Sequence, residues 1–269
     1  QSRVQLLNEL RSALNLGKGL ELHYQPQVSP LGQQVVGCEA LIRWMKPHGE
    51  MVAPDVFIPL AEYTGLIVEI GDWVFAEACQ QIVRWDKEGL PHFRVGINIS
   101  AAQFREPDFV SKIAGVIEST GVSPARLELE ITESVAMEDP ESVARQLREL
   151  KSLGLRVAVD DFGCGFSSLG SLNRLPFDRV KIDRAFVREL TPETSQDCIA
   201  RMIVKLAKSL GLEVTAEGVE TEVQARLLGE MGCKEMQGFL YGRPMNADAL
   251  MGWITARSLP LGGFPGVDD

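Results

Sequence analysis

Apolar positions recur at helical spacing in residues 2–15, where Val4, Leu6, Leu7, Leu10 and Leu14 share one side. This predicts a helix ending near Gly17. The pattern then changes to short extended runs. Residues 20–28 and 34–44 read as two strands joined by a turn at Pro30, Leu31 and Gly32, which predicts an antiparallel hairpin. Helical spacing returns over 55–65 and 68–90, with Trp73, Ala76, Ile82 and Trp85 on the inward side of the second helix. From there strand and helix alternate. Strand 93–99 precedes helix 107–119, and strand 126–131 precedes helix 141–153. Strand 155–160 leads to a short helical stretch after Phe166, and strand 178–182 to helix 194–210. Strand 212–216 precedes helix 221–231, and strand 234–237 precedes helix 246–257. Regular alternation gives a mostly parallel sheet, and eight strands in 269 residues point to a (β/α)8-type barrel. An open doubly wound sheet is the alternative, but no Gly-x-Gly-x-x-Gly follows the early strands. One domain over 1–259 and a loose tail over 260–269 are expected.

The polar exceptions on the strands are more informative than the apolar rule. Glu39 and Arg43 lie on the second strand. Later strands carry in turn Asn98, Glu130, Asp160 with Asp161, Lys181, Glu217 and Gln237 at or near their ends. Side chains alternate along a strand, so Asn98 between Ile97 and Ile99, and Lys181 between Val180 and Ile182, face away from the apolar side. Each of these residues taken singly is explained as a cap or a solvated group. In a barrel they converge on one rim. Asp160 and Asp161 are neighbours, so both can face the site only if the strand breaks there. Gly163 and Gly165 follow them and allow the chain to turn.

Composition narrows the chemistry. Five carboxylates around one Lys need further positive charge, and an all-oxygen donor set selects Mg²⁺ or Mn²⁺ over zinc. The three His and five scattered Cys offer no zinc spacing, and the free thiols suit a reduced, cytoplasmic compartment. A formal charge of −10 disfavours general nucleic-acid binding. No run of 18 apolar residues is present. The chain begins at Gln1, so membrane or sensor parts can precede it in a longer protein. Asp161-Phe162-Gly163 is shared with protein kinases, but neither a His-Arg-Asp loop nor a Gly-rich phosphate loop precedes it.

Glu39-Ala40-Leu41-Ile42-Arg43-Trp44 resembles the signature of the EAL domains. The other family motifs follow in order: Tyr24-Gln25-Pro26, Ile97-Asn98-Ile99-Ser100, Glu130-Ile131-Thr132-Glu133, Asp160-Asp161-Phe162-Gly163, Val180-Lys181-Ile182-Asp183, Ala216-Glu217-Gly218-Val219-Glu220-Thr221 and Gln237-Gly238-Phe239. The resemblance spans about residues 5–257. It implies a modified TIM-like (β/α)8 barrel with one antiparallel strand, and hydrolysis of cyclic di-GMP to linear pGpG. The alternative is a catalytically weak cyclic di-GMP sensor, a kind of domain that loses metal ligands; here none is lost.

The resemblance also implies roles. Glu39, Asn98, Glu130, Asp160, Asp161 and Glu217 would hold metal, two ions of Mg²⁺ or Mn²⁺, with Ca²⁺ inhibitory. Lys181 would stand beside the attacking water, with Glu39 and Glu217 as its catalytic companions. Gln25, Leu41, Arg43, Asp183 and Gln237 would contact substrate or order its surroundings. Glu133 and Glu220 would brace the loop after Asp161. In that loop Cys164 and Phe166 replace the usual Thr and Tyr. A homodimer and an upstream sensor or GGDEF domain are further expectations, and the full-length protein can be membrane-anchored.

Overall fold

Nine strands account for the sheet in the computed structural model, which describes residues 3–30, 34–163, 174–196 and 198–258. They are β1 (Leu20–Val28), β2 (Val35–Met45), β3 (Met51–Val52), β4 (Arg94–Asn98), β5 (Leu127–Thr132), β6 (Arg156–Phe162), β7 (Arg179–Ile182), β8 (Glu213–Ala216) and β9 (Glu235–Gln237). The order β1-β9-β8-β7-β6-β5-β4-β2-β3, with β1 also paired to β2, closes a barrel of eight strands and leaves β3 as an added edge. β1 runs antiparallel to both neighbours, while β2 and β4 through β9 are mutually parallel. The expected barrel with one antiparallel strand is therefore the observed fold. The turn residues 31–33, the stretch after Phe166 and the tail from 259 lie outside the described residues.

Helices cover the outside. α1 (Arg3–Leu16), α2 (Pro54–Thr64) and α3 (Ile67–Lys87) precede β4; α4 (Ala101–Phe104) and α5 (Phe109–Thr120) follow it. α6 (Glu133–Glu138) and α7 (Pro140–Ser152) follow β5, and α8 (Arg184–Arg188) and α9 (Ile199–Ser209) follow β7. α10 (Glu222–Met231) follows β8 and α11 (Ala247–Ser258) follows β9. Three differences from the sequence pattern have local causes. α4 and α6 start within three residues of strand ends and are too short to show a period; α4 is opened by a capping box between Ser100 and Gln103. α9 starts at Ile199 rather than 194, because Thr191 and Thr194 bond each other and the preceding backbone in a turn. On α3 the inward side is Ile70, Val74, Phe75, Ala78, Ile82 and Trp85, with Trp73 and Ala76 on its flank.

The apolar core lies between barrel wall and helices. Val95, Ile97, Leu127, Leu129, Val157, Val159, Val180 and Ile182 are all at most 1% exposed and belong to this layer. Alternation sends the residues between them into the barrel, and there the sequence is polar at nearly every position.

Candidate active site

The barrel interior is stacked in two polar layers. The lower one balances three Arg against three Glu. Arg94 Nε lies 2.9 Å from Glu128, and its Nη2 pairs with Glu235. Arg179 reaches Glu128 at 3.1 Å and Glu235 at 2.8 Å and also pairs with Glu213. Arg156 joins Glu213 at 2.6 Å. Thr215 accepts from Arg179 at 3.0 Å. Buried charges persist only when paired in this way.

The upper layer is not balanced. Lys181, on β7 and fully buried, faces Glu217 at 2.6 Å, Glu39 at 3.5 Å, Asp160 at 3.6 Å and Glu130 in a shorter contact. Burial works to lower the Lys181 pKa, but these carboxylates outweigh it and hold the ammonium protonated. The acids divide. Burial would raise Glu39, yet Lys181 and the N–H groups of Gln237 and Asn98 bring it below the usual carboxylate range. Asn98 Nδ2 donates to Glu39 Oε1 and Gln237 Nε2 to Oε2, both at 2.6 Å. Burial pushes Glu130 well up against the pull of Lys181, and carries Glu217 to about 8. Asp160 also rises through burial, opposed by Lys181.

The paired aspartates show the break that their adjacency requires. The β6–β7 register shifts between Val159 and Phe162, and Asp161 takes a positive φ of 53°, a conformation that Asp tolerates better than most residues. Asp161 N then donates to Asp160 Oδ1 at 2.9 Å. Burial, Asp160 and Asp183 together raise Asp161 to about 6.

A cleft of about 540 Å³ opens above this layer, lined by Gln25, Glu39, Leu41, Asp161, Asp183, Glu217, Glu220 and Gln237 among others. Arg184 and Phe239 also line it; Phe239 closes one of the motifs above without a role, and Arg184 belongs to none of them. Arg43 is not in the lining; its Nη1 donates to the Ile42 carbonyl at 2.8 Å. Asp183 caps α8 through Ala185 N at 2.7 Å as well as facing Asp161. Gln25 and Gln237 are bonded to each other at 3.1 Å. A larger groove of about 760 Å³ runs between α1 and the end of β2, but it is mainly apolar and gathers no comparable set of acids.

The donor set suits divalent cations on two observations. Among the described residues the acids exceed the one ammonium, and Glu130 Oε1 is buried without a hydrogen-bond partner. That oxygen occupies room left by Gly96, where a Cβ would stand 2.1 Å from it. Among the described residues no three acidic, Cys or His side chains are grouped so as to hold a metal ion; the acids here are gathered on Lys181 instead.

Glu133, at the start of α6, is 4% exposed and accepts from Gly163 N at 3.0 Å. It thus holds the first residues after the aspartate pair. Glu220 is exposed at the cleft rim, and residues 164–173, including Cys164 and Phe166, lie outside the described residues. Replacing Glu133 with Ala should slow turnover several-fold and alter its Mg²⁺ response, with a melting temperature close to that of the wild type. Unchanged rate, metal response and self-association would leave Glu133 a helix-end residue only.

Comparison with known proteins places this architecture. The chain is 43% identical over 255 residues to the bifunctional diguanylate cyclase/cyclic di-GMP phosphodiesterase MucR of Pseudomonas aeruginosa, covering 95% of this chain and 37% of that protein. It therefore spans about a third of that relative's length. The solved MucR phosphodiesterase in complex with c-di-GMP superposes with a TM-score of 0.87, covering 91% of this chain and 99% of that one at 43% identity. The EAL domain of Mycobacterium smegmatis DcpA gives a TM-score of 0.73 at 35% identity, covering 89% and 97% of the two chains. Among the described residues no helix is long and apolar enough to cross a membrane. With the EAL domain profile matching residues 7–244, the chain belongs to the EAL domain family.

Proposed function

We propose that this chain is a metal-dependent phosphodiesterase that hydrolyses cyclic di-GMP to linear pGpG. The observation that carries the reading is the buried Lys181 ringed by Glu39, Glu130, Asp160 and Glu217 at the floor of the cleft. The 43% identity to a protein whose phosphodiesterase was solved with c-di-GMP supports it. Glu39, Asn98, Glu130, Asp160, Asp161 and Glu217 would hold two Mg²⁺ or Mn²⁺ ions. Such ions lower the pKa of a water and offset charge on phosphoryl oxygens. Hydrolysis adds a water to phosphorus and breaks the P–O3′ bond, leaving a 5′-phosphate and a 3′-hydroxyl.

The chain's own residues supply position and charge. Lys181 stays protonated and has N–H groups to orient a water. Asn98 and Gln237 fix both oxygens of Glu39, so its carboxylate needs little reorganisation. Arg43 offers a guanidinium to a substrate phosphate above the cleft. Mn²⁺ should support turnover as Mg²⁺ does, and Ca²⁺ should inhibit, because a larger ion takes more ligands at longer distance and displaces the water. The test is turnover of cyclic di-GMP with each ion in turn; equal rates with Ca²⁺ and Mg²⁺ would sink the reading.

A further inference from the structure

Beneath Glu39 runs a file of hydrogen bonds with a donor at one end and an acceptor at the other. Arg94 Nη2 donates to Gln27 Oε1 at 2.8 Å. Gln27 Nε2 donates to Gln237 Oε1 at 2.9 Å, and Gln237 Nε2 to Glu39 Oε2 at 2.6 Å. A guanidinium cannot accept and an ionised carboxylate cannot donate. Each amide between them therefore has one orientation that satisfies both neighbours. Turning either would set N–H against N–H or oxygen against oxygen.

The file is buried throughout: Gln27 is 1% exposed, Gln237 4%, Glu39 7% and Arg94 8%. Its base is anchored in the charged lower layer through Glu128 and Glu235. β1, the antiparallel strand, places Gln27 opposite Gln237 and Gln25 opposite Glu39. Gly37 leaves the room, since a Cβ there would stand 2.6 Å from Gln27 Oε1 and 3.1 Å from Arg94 Nη2. The remaining N–H of Gln237 goes to Gln25 Oε1, and Gln25 Nε2 to the Gly242 carbonyl at 3.1 Å. One cation at the barrel floor thus sets the direction of three amides at the site.

We propose that Arg94 and Gln27, neither of which lines the cleft, are positioning residues that hold the Glu39 carboxylate in place through Gln237. The inference rests on Glu39 holding a cation, as proposed above. Gln27→Glu and Gln27→Met separate polarity from packing. Gln27→Glu keeps the size and the Arg94 contact but has no N–H for Gln237, whose amide must then turn its oxygen toward Glu39. Gln27→Met keeps the volume and removes both polar contacts.

Mn²⁺ affinity is measured by calorimetry on the 269-residue chain without nucleotide, alongside kcat, KM and melting temperature. Gln27→Glu should weaken Mn²⁺ about 10- to 100-fold, the range for partners behind metal ligands, with Gln27→Met nearer tenfold. In both, kcat should fall with KM nearly unchanged, and Gln27→Glu, which sets the Gln237 oxygen against Glu39, should melt below the wild type while still folding. If Gln27→Glu does not fold, a tenfold loss in a normally melting Gln27→Met still supports the inference. Wild-type Mn²⁺ affinity in both variants, or a larger loss in Gln27→Met than in Gln27→Glu, overturns it. Absence of Mn²⁺ binding by the wild-type chain overturns the metal reading and this inference together.

Discussion

Lys181→Met should abolish turnover and lower stability by about 3–5 kcal/mol, the usual cost of removing one partner from a buried ion pair. Among the described residues Lys181 is the one cation paired with Glu39, Glu130, Asp160 and Glu217 in the upper layer, and Met fills most of its volume without a charge. The loss should depend on pH in a stated direction. Burial works to raise Glu39 but Lys181, Gln237 and Asn98 hold it below the usual carboxylate range, and losing Lys181 lets burial raise it in the variant alone. An acid whose folded pKa exceeds its unfolded value binds more protons when folded, so stability falls as pH rises between the two values. The deficit against the wild type should therefore be smallest near pH 5 and grow toward pH 8. Mg²⁺ should recover part of the melting temperature and none of the rate. Thermal melts at both pH values, with and without Mg²⁺, check this; a deficit that shrinks toward pH 8 would contradict the electrostatic reading of the layer.

Glu39→Ala should lower kcat more than about a hundredfold, beyond the effect expected of a residue behind a metal ligand. The side chain collects N–H groups from Asn98, Gln237 and Lys181 in one place, and Ala removes the acceptor common to all three. The fold should persist, because the variant lessens the excess of acid rather than increasing it. The melting temperature should stay within a few degrees of wild type. Normal product formation by this variant at limiting Mg²⁺ would remove Glu39 from the metal site.

The barrel was legible because its two periods are clean. Alternation in Arg94–Asn98, Leu127–Thr132 and Arg179–Ile182 puts aliphatic residues on the helix side and polar ones inside. The same alternation carried a second message. Two positions before Asn98, Glu130, Asp160, Lys181, Glu217 and Gln237 stand Gly96, Glu128, Ala158, Arg179, Thr215 and Glu235, and four of these six join the buried polar layer below the site. They stand below the strand ends, outside the motifs that mark the site. Arg94 and Gln27 were missed for the same reason: pairing across the barrel is set by closure and register, which no local window contains. The break at Asp161 was foreseeable from two adjacent acids, but its form, a positive φ with a register shift, depends on the β6–β7 pairing. Arg43 shares a face with Glu39 by period, yet β2 continues past the cleft and carries it out of the lining.

We propose that the acids around Lys181 serve hydrolysis of cyclic di-GMP and not its binding alone. The most direct measurement is chromatography of the nucleotide after incubation with the purified chain, with Mg²⁺ and with Mg²⁺ removed by chelation. The reading predicts conversion to pGpG with Mg²⁺ and intact cyclic di-GMP without it. Cyclic di-GMP that is bound but recovered intact in the presence of Mg²⁺ or Mn²⁺ would contradict it.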